Sequence, residues 1–68
     1  MAEEVQIDGR KFYIVSEPDG TKGWKAQVLE VLHTGGETQA MGIVTSGATR
    51  SEADERALGV LQHTLRDA

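Results

Sequence analysis

The residues able to do chemistry are few and widely spaced. His33 and His63 are the only imidazoles, and they stand thirty positions apart. Ser16, Ser46 and Ser51 lack the Gly-x-Ser-x-Gly setting that exposes a nucleophile on a sharp turn. Carboxylates are plentiful, yet their positions have structural explanations. Asp8 and Asp19 each precede a glycine, which is turn chemistry. Glu52, Asp54 and Glu55 cluster where a helix would begin, which its dipole favours. No general acid–base pair is required by the pattern. Gly35, Gly36 and Gly42 are not followed by the Gly-Lys-Ser/Thr of a phosphate loop. The stretch from Thr45 to Thr49 precedes a helix start and could meet an anion there, but an N-cap at Thr49 already accounts for it. Trp24 lies near Lys22 and Lys25, but one tryptophan in phase with Ala26 and Val28 reads as core. A single-strand nucleic-acid surface would interleave several aromatics with cations. No catalytic residue, cofactor site or metal site is therefore assigned.

Composition narrows the classes further. Sixty-eight residues make one domain. A chain of this size buries only about 60% of its unfolded surface, so partners commonly supply extra burial. With no cysteine, neither a disulfide nor a thiolate metal site can supply it. The hydrophobic fraction of 38% and charged fraction of 26% are those of a folded globular domain. The net charge of −4 repels phosphate backbones and disfavours nucleic acid as the main partner. The acidic N-terminus has no apolar segment of a signal peptide, and apolar runs are too short for a membrane span. The expectation is a cytoplasmic protein that does not enter a membrane.

The pattern of elements gives the fold class. Val5-Gln6-Ile7 alternates, Asp8-Gly9 is a type I′ hairpin signal, and Phe12 to Val15 alternates again. That turn pairs Val5 with Phe12. It sets Val5, Ile7, Phe12 and Ile14 on one face, with Tyr13 and Val15 on the other. Glu17 to Gly23 forms a second turn around Pro18 and Gly20. Trp24 to Leu32 is a strand with Trp24, Ala26 and Val28 on one face and Lys25, Gln27, Leu29 and Val31 on the other. His33 to Gly36 is a third turn. Glu37 to Ser46 is a further strand, with a bulge expected at Gly42. Thr49 and Glu52 fit a capping box for a helix over 50–66. Its packed side is expected to hold Ala53, Ala57, Val60, Leu61, Thr64 and Leu65. The fold class is α+β: a three- to four-stranded antiparallel meander with one C-terminal helix on one face.

One helix covers one face of a sheet. The opposite face would carry Tyr13, Val15, Leu29, Val31 and Val44, with Ala40, an apolar strip that a monomer seldom leaves in water. These positions are the expected partner-binding residues. The occupant would be a second copy or another protein.

Two segments resemble a known family. Phe12-Tyr13-Ile14-Val15-Ser16-Glu17-Pro18-Asp19-Gly20, followed by Gly23-Trp24-Lys25-Ala26-Gln27-Val28, is similar to the opening strands of HicB-like antitoxin domains. Thr45 to Ala53, then Ala57-Leu58, resembles their Thr-x-Gly-x-Thr-x-x-Glu-Ala helix entry. The Pro-x-Leu-Pro-Gly segment of that family is absent; Leu29 to Gly36 stands in its place. The DNA-binding segment of a full antitoxin is also missing from these residues, so DNA binding is not expected to carry over. The resemblance implies a βββα fold, similar also to part of a double-stranded RNA-binding domain, and a role in binding a macromolecule. The expectation is a non-enzymatic interaction module that binds protein, possibly itself. The alternative is a nucleic-acid-binding domain using Arg10, Lys11, Lys22 and Lys25.

Overall fold

Asp8 and Gly9 both have positive φ, 51° and 77°. A two-residue type I′ turn requires this of both central residues, and its twist matches that of the strands it joins. The turn therefore fixes the first register, with Val5 opposite Phe12 and Ile7 opposite Arg10. The computed structural model describes residues 2–32 and 36–67. In it β1 (Ala2–Ile7), β2 (Arg10–Pro18), β3 (Trp24–Val31) and β4 (Thr38–Gly47) precede one helix, α1 (Arg50–Asp67). The strands form a single antiparallel sheet in the order β1-β2-β3-β4. This is the expected α+β meander in its four-stranded form. The first strand is longer than the Val5–Ile7 segment, because Ala2, Glu3 and Glu4 also pair with β2.

Between β2 and β3 the Asp19 amide donates to the Gly23 carbonyl at 2.9 Å. Gly20 there has the positive φ of 72° that the turn demands. Between β3 and β4 the Leu32 amide donates to the Glu37 carbonyl at 2.8 Å. His33, Thr34 and Gly35 of the expected third turn lie outside the described residues. Gln27 pairs with Val44 and Leu29 with Ala40, so Val28 alone faces Met41, Gly42 and Ile43. Gly42, at φ 75°, is the pivot of this bulge. Two extra residues keep the alternation in phase, so Met41 and Ile43 still point to the core.

The core lies between the sheet and α1. Phe12, Ile14, Ala26, Val28, Ile43, Ala53, Ala57 and Leu61 are buried, and Trp24, Val5 and Ile7 pack against them. Small residues at Ala53 and Ala57 bring the helix axis close to the sheet. The N-terminus of α1 is fixed where the Glu52 amide donates to Thr49 Oγ1 at 3.1 Å, as a capping threonine should accept. The Glu52 carboxylate accepts from the Ala48 amide at 3.3 Å, one residue earlier than the expected box geometry.

The packed side of α1 differs from the expected one. Ala53, Ala57 and Leu61 form the buried spine, with Leu58 and Leu65 half-buried beside it. Val60 is 43% exposed and Thr64 is exposed. A spine at every fourth residue leaves two flanks, and the helix tilt chooses between them. The flank holding Leu58 turns inward, which buries more apolar area than the one holding Val60 and Thr64.

Two glycines are set in opposite surroundings. A Cβ at Gly47 would lie 2.7 Å from the Ala53 backbone nitrogen and 2.9 Å from the Glu52 Cβ, so only glycine lets β4 pass under the helix start. A Cβ at Gly59, on the exposed side of α1, would meet nothing within 4 Å. Gly47→Ala should therefore destabilise the fold by about 1–3 kcal/mol. Gly59→Ala should stabilise it by about 0.5–1 kcal/mol through helix propensity. Urea unfolding followed by circular dichroism checks both, and effects of the same sign would contradict this packing.

Candidate functional site

Cross-strand partners in an antiparallel sheet point to the same face. With Phe12, Ile14 and Val28 under the helix, the register puts Tyr13 beside Leu29, Val15 beside Gln27 and Glu17 beside Lys25 on the other face. On the flanks Glu4 adjoins Tyr13, while Ala40 and Val44 adjoin Leu29 and Gln27. The five expected partner-binding residues thus share one face. Tyr13, Val15, Leu29 and Val31 are half-buried by one another, and Val44 is 67% exposed. Among the described residues no element lies over this face; α1 packs on β2, β3 and β4 from the opposite side.

The face has an apolar centre and a charged rim. Lys11 Nζ approaches Glu4 at 3.8 Å, and Lys25 Nζ approaches Glu17 at 3.4 Å. Exposed pairs of this kind add only about 0–1 kcal/mol to the fold. Their larger effect is to border the apolar strip with both signs of charge. A shallow hollow of about 110 Å³ opens between Val15, Glu17, Lys25, Gln27 and Val44. It is large enough for one side chain and too small for most metabolites.

The cations proposed for nucleic acid are largely matched with carboxylates. Arg10 donates two hydrogen bonds to Glu30, both at 2.9 Å, and its guanidinium lies 5.3 Å from the centre of the Phe12 ring. Donating these hydrogen bonds to Glu30 raises the Arg10 pKa above its ordinary value. With Lys11 on Glu4 and Lys25 on Glu17, three of the four cations are paired. The fourth, Lys22, sits in the β2–β3 turn. Arg10 also points to the helix side, so these residues do not form one basic face.

Sites of other kinds are weakly furnished. His63 is exposed and lies 3.0 Å from Asp67, one turn along α1. His33 is outside the described residues. Among the described residues no three His, Cys, Asp or Glu side chains gather closely enough to hold a metal. No described helix is long and apolar enough to cross a membrane. A cleft of about 380 Å³ is lined by Gly9, Arg10, Lys11, Glu30, Val31 and Leu32, and its charged groups include the Arg10–Glu30 ion pair. Comparison with family models, curated proteins and solved structures yields no match.

The two faces should respond differently to substitution. Val44→Asp should change the stability of the isolated domain by no more than about 0.5 kcal/mol, as for other surface changes. Phe12→Ala, at a fully buried position, should cost about 3–5 kcal/mol. Thermal unfolding of both variants, at a concentration too low for association, checks the contrast; a large loss at Val44 there would mean that this face is packed within the chain.

Proposed function

We propose that this domain is a non-enzymatic interaction module that binds protein through the uncovered face of its sheet. The observation that carries this reading is the apolar strip of Tyr13, Val15, Leu29, Val31 and Val44, with no described element over it. An apolar centre with a charged border is the usual anatomy of a protein interface.

The surface area supports the same reading. The accessible surface is 4667 Å², whereas a 7.4 kDa monomer is expected to show roughly 4,200 Å². The excess follows from a flat shape, with extents of 37 × 27 × 16 Å. A sheet covered on one side only is that thin. The resemblance of residues 12 to about 65 to HicB-like antitoxin domains is consistent with a macromolecule-binding role. Pairing of Arg10, Lys11 and Lys25 with carboxylates, together with a net charge of −4, weighs against nucleic acid.

Sedimentation equilibrium at tens of micromolar should give a mass of twice 7.4 kDa or more. Leu29→Asp should return the mass to that of one chain while the helical circular dichroism persists. A wild-type chain that sediments as a clean monomer, and retains no protein from cell extract, would overturn the proposal.

A further inference from the structure

Three cross-strand pairs of the open face flank the line between β2 and β3. Across that line Tyr13 faces Leu29, Val15 faces Gln27 and Glu17 faces Lys25. A twofold axis along this seam, parallel to the strands, would place β2 of one copy over β3 of another. Each Tyr13 would then rest on a Leu29 of the second copy, and each Glu17 on a Lys25 of the second copy. We propose that the occupant of the open face is a second copy of this chain, docked face to face about a twofold axis along the β2–β3 seam, with Glu17 and Lys25 of the two copies closing a four-charge ring. This rests on the open-face reading above and adds the identity and orientation of the partner.

Charge and area carry the proposal. Glu17 and Lys25 already stand 3.4 Å apart within one chain, with side chains 60% and 46% exposed. Sheets packed face to face lie about 10 Å apart, a gap that two such long side chains bridge. Four alternating charges at a rim would favour this register over others. The sheet twist carries the outer strands out of alignment, while residues beside the axis stay in register. The other twofold arrangement, with its axis across the strands, would lay Tyr13 on Val15 and Glu17 on Lys11, with Leu29 on Gln27 and Lys25 on Val31 of the second copy. It pairs Glu17 with Lys11 instead of Lys25 and closes no four-charge ring. The eight residues of β3 and four strands spaced ~4.8 Å apart give a face of roughly 500 Å² per copy. Two such faces supply about 1,000 Å² at most, the size of a weak, reversible interface.

The hollow beside Val44 has a place in this arrangement. Row by row, the axis brings Val15 of the second copy over Gln27, at the edge of the hollow formed by Val15, Gln27 and Val44. An aliphatic side chain there would fill space that is otherwise wet.

The decisive experiment mixes two charge-reversed chains. Glu17→Lys puts four cations into the ring of its own dimer, and Lys25→Glu puts four anions into the other. In a mixed dimer about the seam, position 17 of the first variant meets position 25 of the second with opposite sign, and the remaining pair is native. Each variant alone should weaken dimerisation by about tenfold or more, whereas an equimolar mixture should recover the wild-type dissociation constant by sedimentation velocity. Circular dichroism of each variant confirms that it is folded, since both positions are exposed. A wild-type dimer whose variants dimerise normally, or whose mixture is not restored, would overturn the seam geometry and leave the open-face reading standing. A wild-type monomer would overturn the second-copy proposal, and the open-face reading falls with it only if the chain also retains no protein from cell extract.

Discussion

At Gly47 the edge strand β4 passes so close beneath the first turn of α1 that one added carbon would collide with backbone. That contact, with Ala53 and Ala57 behind it, sets how tightly the helix sits on the sheet. Thr45 reinforces it by donating from Oγ1 to the Ala53 carbonyl at 2.8 Å, and Arg56 by donating to the Ser46 carbonyl at 2.7 Å. The consequences run through the whole molecule. A helix seated this low over the end of β4 buries Ile14, Val28, Ile43 and Leu61 thoroughly. It also commits the only helix among the described residues to one side of the sheet. The other side is left to its own side chains.

The two faces solve the burial problem differently. On the helix side, apolar residues are removed from water by a second layer. On the open side, Tyr13, Val15, Leu29 and Val31 shelter one another only in part. Ion pairs at Glu4–Lys11 and Glu17–Lys25 border them without covering them. With eight buried apolar core residues among those described, a domain of this size has little stability to spare. Burial of the second face against another molecule would add a third layer. The same face would then serve both stability and recognition, which makes the folded population dependent on concentration.

Much of this was legible in the sequence because short turns fix register. Asp8-Gly9 allows two residues between strands, so Val5 must meet Phe12, and the faces of β1 and β2 follow. Gly42 was readable as a bulge because glycine inside a β-branched strand has few other uses. The flank of α1 was not readable. Val60 and Leu58 both adjoin the Ala53–Ala57–Leu61 spine, and the choice between them depends on helix tilt, a property of the assembled layers. The charged seam was missed although its residues were in view. Counting outward from the Asp19–Gly23 turn places Glu17 opposite Lys25, yet periodicity along one strand says nothing about neighbours across two. The close approach at Gly47 likewise has no local signal, since its φ is ordinary and only the distant Glu52 and Ala53 exclude a side chain.

The central claim, that the open face is buried between molecules, can be tested residue by residue through the concentration dependence of side-chain NMR resonances. On dilution from millimolar to low micromolar, the signals of Tyr13, Val15, Leu29 and Val44 should shift together along one binding isotherm. Those of Phe12, Val28 and Leu61, enclosed under α1, should stay in place. Shifts confined to the helix flank at Val60, or no shift on the sheet face across that range, would contradict the account.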